Sequence, residues 1–270
     1  MCASPAIHRA DRPRLWVGRF GIVAITPGDR CSTAVVKDSG RRALPTFATA
    51  NIQGSVSVTV QVQMKVNLAV QHMLAAARFS REVSQLEQLH REEEFGPFWE
   101  TIFHFATACV LASVASLEAY ANELFSDRET LFPDYPPDLL HNLWETYEQK
   151  PILEKFEFAL LLLRKSAFDR GARPYQDVKV LIDLRNALTH FKPEWMNEAD
   201  EHARMSRKLD SKIEGSVFLQ ASERLFPRRW ASHSGTKWAV QSALAFAEQF
   251  EANAVLPRKY KVGDMTALQV

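Results

Sequence analysis

Residues 181–193 read L-I-D-L-R-N-A-L-T-H-F-K-P and set Arg185, Asn186 and His190 in the pattern R-N-x-x-x-H. Histidine titrates near neutrality and can pass a proton in either direction. Arginine offers a planar fork of donors suited to an anion. Together with an amide, these types admit proton transfer beside a bound anion. The same Arg and His near a helix C-terminus also offset the helix dipole, so residue types alone leave both readings open.

Spacing narrows the choice. With 21 Arg and 8 His in the 270 residues, roughly 0.6 such Arg–His pairs are expected by chance. A second pair does occur, Arg228 with His233, between Pro227 and Gly235 and without the Asn. Requiring Asn after the Arg lowers the chance expectation to roughly 0.02.

The element that must carry the three residues is a helix from about Tyr175 to Phe191, stopped by Pro193. At about 100° per residue, Val180, Leu181, Leu184, Ala187, Leu188 and Phe191 fall in one arc of roughly 120°, the expected core stripe. Arg185, Thr189, Asn186 and His190 take the opposite arc. Arg185 and His190 stand about 140° apart, so one straight helix cannot aim both at a single atom. Asn186 and His190, at i and i+4, can meet. Two such helices about a twofold axis would bring both sets into one groove, with Val178 and Ile182 expected to supply its apolar part.

Other helices are expected over Val66–Glu94, Phe98–Phe125, Pro151–Lys165, Glu198–Lys212 and Thr236–Ala254, with loops at Phe132–Pro137 and Arg224–Gly235. Ser55–Gln63, S-V-S-V-T-V-Q-V-Q, alternates with period 2 and predicts a half-buried strand. The expected organisation is mainly α: a poorly structured or extended segment over 1–50, a β accessory over 51–65, a helical bundle over 66–256 and a tail over 257–270. Glu118 and Asn122 share a face of the second helix at i and i+4; they serve either the groove or simply the helix rim. Arg224, Arg228, Arg229 and Trp230 form a small basic and aromatic cluster, read either as a nucleic-acid contact or as a solvated loop. His104 is expected in the core.

Here the chain resembles the HEPN superfamily of all-α domains, whose signature is an Arg, four to six residues and a His, often with a polar residue after the Arg. Ala115–Phe125, A-S-L-E-A-Y-A-N-E-L-F, also looks like the first core helix of bacterial members. The resemblance covers about Val66 to Pro193 and does not reach residues 1–50. It implies a HEPN-like antiparallel helical bundle, a homodimer with a composite site, and metal-independent cleavage of RNA by attack of the ribose 2′-hydroxyl on the adjacent phosphate.

Carried onto this sequence, His190 would transfer protons, the helix dipole favouring its protonated ring as a donor. Arg185 would hold the scissile phosphate, Asn186 would orient phosphate or His190, and Lys192 would add a phosphate contact. Glu118, with Asn122 on the same face, would face the groove and orient Arg185 or His190. No metal or cofactor is implied. RNA is the implied partner, with a cognate antitoxin or nucleotidyltransferase-like protein beside it, in a toxin–antitoxin, stress or phage-defence setting. The alternative is a non-catalytic HEPN-like module that binds a nucleotide or a partner, since a fold does not establish an activity.

Composition excludes several other classes. Lys plus Arg number 33 and Asp plus Glu 32, a net charge of +1, so bulk charge does not drive the chain onto nucleic acid or anionic membrane. Three cysteines, Cys2, Cys31 and Cys109, are too few for a disulfide framework or a zinc ribbon, and Cys109 sits in an apolar run as a small hydrophobe. The apolar stretch Phe103–Leu117 falls short of the roughly 20 residues of a membrane span. Asp11 and several arginines interrupt any apolar leader, so a cytoplasmic protein is expected. The remaining histidines lack metal-ligand spacing, and no phosphate-binding glycine loop, dinucleotide fingerprint or nucleophile elbow occurs.

Overall fold

The computed structural model describes residues 65–195, 200–260 and 267–270. The expected N-terminal segment over 1–50 and the strand at Ser55–Gln63 lie outside the described residues. From Leu68 onward the chain forms one compact unit. It is mainly helical, as expected.

Helix α1 (Ala69–Leu89) buries Ala69, Met73, Ala76, Ala77, Ser80 and Val83, the i, i+3, i+4 stripe of an amphipathic helix. Helix α2 (Phe98–Ser126) is the central element, with twelve buried residues among which Ala106, Ser113, Ser116 and Ala121 are small. Small side chains let α1 and α8 (His233–Ala254) lie close against it, and α8 answers with Gly235, Ala239, Ala243 and Ala247. The three helices meet at Ser80, whose hydroxyl bonds that of Thr236 at 2.9 Å. Cys109 Sγ faces the Thr236 carbonyl at 3.7 Å. Burial pushes the Cys109 thiol up to about 12, which keeps it a packing group and not a nucleophile.

By length and composition α2 could cross a membrane, a longer apolar helix than the interrupted run Phe103–Leu117 predicts. In the bundle its buried residues pack against neighbouring helices. His104 is exposed, which corrects the expectation of a core histidine: it falls on the outer face of α2, between Phe103 and Phe105, which pack partly into the core.

Helix ends are satisfied from a distance. The Glu123 carboxylate accepts the Leu68 and Ala69 N–H groups at 2.7 and 2.9 Å, occupying the orphan donors at the start of α1. Ser232 caps α8 by accepting the Gly235 N–H at 3.0 Å. A side chain at Gly235 would collide with the Trp230 carbonyl oxygen, so only glycine fits there.

Of the two expected loops, Phe132–Pro137 is one and Arg224–Gly235 is not. After the proline-rich Phe132–Pro137, helix α4 (Pro137–Tyr147) follows the short turn α3 (Arg128–Leu131). Its Trp144 stacks on Phe125 at 4.5 Å and its Tyr147 on Phe158 at 3.6 Å. Arg224–Gly235 is not a solvated loop. It contains a turn at Leu225–Arg229, with Leu225, Phe226, Trp230 and Ala231 buried. Trp230 is wholly buried and donates Nε1–H to the Pro227 carbonyl at 2.9 Å, so it offers no face for a stacked base.

The tail returns to the bundle. Tyr260 is buried and bonds Ser116 at 2.8 Å, while Arg81 donates to the carbonyls of Ala267 and Gln269. Glu251, on α8, is buried beneath this strap and accepts from Tyr120 Oη at 2.9 Å and the Lys259 N–H at 2.7 Å. Burial raises the Glu251 carboxyl above its usual 4.5, with those two bonds pulling it back. A carboxyl raised in the fold binds more protons there than in the unfolded chain, so its stability contribution is complete below the ordinary value and is lost as pH rises through the elevated one. Glu251→Gln keeps an acceptor and removes the titration. The variant is therefore expected to melt with a flatter dependence on pH from 4.5 to neutrality, measured by thermal denaturation across that range. Parallel curves for variant and parent would place no cost on the ionised Glu251.

Candidate functional site

Helix α6 (Tyr175–Thr189) carries the R-N-x-x-x-H set, two residues shorter than expected. It lies between α2 and α8, with α7 (Asp200–Asp210) alongside. Asp183 and Asp177 are held by Lys208, at 2.6 Å, and Lys212 from the α7 side. Val178, Val180, Leu181 and Leu184 are buried. Full burial of Val178 in the bundle corrects its expected place in an intermolecular interface. Ile182 is only partly buried. The core arc is therefore wider than the expected stripe, and on a helical wheel it extends past Arg185.

That widening sets the state of the three residues. The Arg185 side chain is 26% exposed and its Nε is buried with no hydrogen-bond partner among the described residues. One Nη lies 3.9 Å from Glu118, an ion pair too long to be a hydrogen bond. Asn186 and His190 are exposed. His190 is the C-cap of α6, its N–H bonded to the Asn186 carbonyl at 2.8 Å. Neither side chain has a hydrogen-bond partner among the described residues. Thr189 turns its hydroxyl back to the Arg185 carbonyl at 2.9 Å.

Behind Arg185 sits a residue that sequence reasoning passed over. Lys155, on α5 (Ile152–Leu162), is buried with 3% exposure. Its ammonium donates to Asn122 Oδ1 at 3.0 Å, lies 3.9 Å from Glu118, and stands 5.6 Å from the centre of the Trp144 ring. Glu118 thus lies between two cations, Arg185 and Lys155, and leaves the cluster one positive charge in excess. A buried ammonium needs such partners to remain charged. A lone Lys in the apolar run I-L-E-K-F-E-F-A-L-L-L was the available signal. Asn122 is drawn into holding Lys155, so its carbonyl oxygen is committed.

Lys192, one residue beyond Phe191, is exposed, and its carbonyl accepts from His202 Nε2 at 3.0 Å. The basic cluster further on is internally paired. Arg228 makes two bonds of 3.0 Å to Glu223, and Arg229 donates to the Glu223 carbonyl at 3.2 Å. Glu201, at the start of α7, pairs with Arg204 at 3.4 Å. No group of three or more potential metal ligands occurs among the described residues.

The helix end therefore presents one anchored arginine with an uncommitted fork, one exposed amide and one exposed imidazole. Those groups can receive an anion and exchange a proton beside it. No family model matches the chain, and no curated protein or solved structure matches it.

Proposed function

We propose that the chain is a HEPN-like helical protein that cleaves RNA without a metal ion, its N-terminal part adding a small β accessory, and that Arg185, Asn186 and His190 form the site. One observation carries this reading. Asn186 and His190 project from the end of α6 with no side-chain partner among the described residues, while the neighbouring Arg185 keeps its fork free of any close hydrogen bond.

In this reading Arg185 binds the scissile phosphate and offsets the charge that grows on it as the 2′-hydroxyl attacks. A bond forms between the 2′-oxygen and phosphorus, the bond to the 5′-oxygen breaks, and the products are a 2′,3′-cyclic phosphate and a 5′-hydroxyl. His190 gives its proton to the departing 5′-oxygen. A second copy of the chain, with its α6 across a twofold axis, supplies the other histidine as the base that takes the 2′-hydroxyl proton. The roughly 140° between Arg185 and His190 on one helix favours such a paired site over one built on a single copy. Glu118 and Lys155 position Arg185, and Lys192 adds a phosphate contact. The setting proposed is a cytoplasmic defence, stress or toxin–antitoxin system.

Cleavage of a labelled single-stranded RNA in EDTA tests this, with the product ends identified. Cyclic phosphate ends support it, whereas 3′-hydroxyl ends or an absolute need for a divalent ion contradict it.

A further inference from the structure

Just past His190 the chain turns into a cavity of about 310 Å3, lined by Phe191, Pro193, Glu194, His202, Phe226 and Pro227, with Glu223, Arg224 and Arg228 also at its wall. That volume is at the small end of ligand sites, which run from roughly 300 to 1,000 Å3, and matches a single ring system with its sugar. The walls are apolar and aromatic. Phe191 is 47% exposed and backs onto the buried His202 ring, stacked at 5.4 Å. Phe226 meets the same imidazole edge-on at 5.1 Å. His202 is held by its Nε2 bond to the Lys192 carbonyl.

One carboxylate addresses this apolar space with no Lys or Arg paired to it among the described residues. Glu194 Oε2 accepts the His202 N–H at 3.2 Å and lies 3.9 Å from His202 Nδ1. Among the described residues no hydrogen bond engages Oε1. By contrast Glu223 is taken up by Arg228. An aromatic platform beside an acceptor-only group fits a flat ring that carries N–H donors on its edge. Arg224 also reaches the wall, as does Arg228 with its partner Glu223.

We propose that this cavity receives an unpaired guanine base of the RNA, the nucleotide next to the bond cleaved at His190. Guanine presents two adjacent donors, N1–H and the exocyclic amino group, to a carboxylate. Uracil presents a single N–H flanked by carbonyls that a carboxylate repels. Single-stranded RNA is commonly read by stacking an unstacked base on an aromatic side chain and bonding its Watson–Crick edge. The peptide bond between His190 and Phe191 sets base recognition and proton transfer side by side. The assignment of the base to a scissile RNA rests on the ribonuclease reading above.

The test is binding of guanosine 5′-monophosphate and uridine 5′-monophosphate to the full chain by titration calorimetry, with Phe191→Ala and Glu194→Gln as variants. Phe191 is half-exposed, and glutamine retains the acceptor for the His202 N–H, so both variants are expected to fold. The guanine nucleotide is expected to bind at least tenfold tighter than the uridine nucleotide. Phe191→Ala is expected to weaken it roughly fivefold to a hundredfold, the range that loss of one stacked base brings, and Glu194→Gln about tenfold or more, as loss of a hydrogen bond to a charged group does, with melting temperatures unchanged. Equal affinities for the two nucleotides, or variants that bind as the parent does, would overturn the proposal. Guanine binding without RNA cleavage would keep the pocket and reject the nuclease. Cleavage of RNA with neither guanine preference nor sensitivity to the two variants would do the reverse.

Discussion

Replacing Arg185 with alanine is expected to lower RNA cleavage by about 10²–10³-fold, the loss that follows removal of one preorganised donor to developing negative charge. Folding should survive the change. The Arg185 Nε is buried without a partner among the described residues, so truncation removes a desolvation cost together with a loose ion pair of 3.9 Å to Glu118. Glu118 keeps its other cation, Lys155, at 3.9 Å. Arg185→Lys retains the charge and loses the planar fork, so it is expected to recover little of the rate. Single-turnover cleavage in EDTA, with a melting curve for each variant, separates the two quantities. A loss of activity that only tracks a fall in melting temperature would make Arg185 a structural residue. Full activity in the alanine variant would remove it from the site.

The second large effect concerns the frame that holds the site. Phe156 follows Lys155 on α5, is fully buried, and meets Tyr120, Phe246 and Phe250 edge to face at 5.6, 5.2 and 4.8 Å. Phe156→Ala removes a ring from the point where α2, α5 and α8 converge. The expected cost is about 3–5 kcal/mol, the transfer and cavity terms together, read by urea unfolding. In a domain of this size that corresponds to a fall of roughly 10 °C in Tm. A loss under about 1 kcal/mol would mean the rings repack without it. The effect should fall on stability and not on the rate per folded molecule, because Phe156 faces the core while Lys155 beside it holds Glu118 and Asn122.

Much of the helical frame was legible because periodicity is local. The stripe of α1, the long small-residue run of α2 and the Pro193 stop after α6 were all visible in the spacing of apolar residues. Helix α4 was overlooked, although Leu140, Leu143, Trp144 and Tyr147 stand at i, i+3, i+4 and i+7. Pro133 and Pro136 precede it and Pro137 opens it, so the loop signal overlies its first turn. Trp230 was misplaced for a different reason. Arg228 and Arg229 made its surroundings look solvated, whereas Glu223 draws both arginines aside and leaves the indole to the core.

The site itself was partly legible. Its three residue types and their spacing are sequence facts, and Asn186 and His190 do project from the exposed arc. Arg185 does not share that arc fully. Its half-burial follows from α6 packing against both α2 and α8, which widens the core to include Val178, and no single-helix wheel contains its neighbours. Lys155 was hidden because its partners, Glu118 and Asn122, come from another helix. The cavity beyond His190 was hidden likewise, since its walls come from 191–194, His202 and 223–228, three stretches joined only by folding.

The most direct test of the central claim is cleavage of one labelled single-stranded RNA in EDTA by the parent protein and by His190→Ala, at matched folding and matched oligomeric state. His190 is exposed at the end of α6 with no side-chain partner among the described residues, so its truncation should leave the bundle intact. Proton transfer by a placed side chain contributes about 10²–10⁴-fold, and loss of activity on that scale, with cyclic phosphate ends from the parent alone, is the predicted result. Equal cleavage by the two proteins, or none by a folded parent across several RNAs, would contradict it.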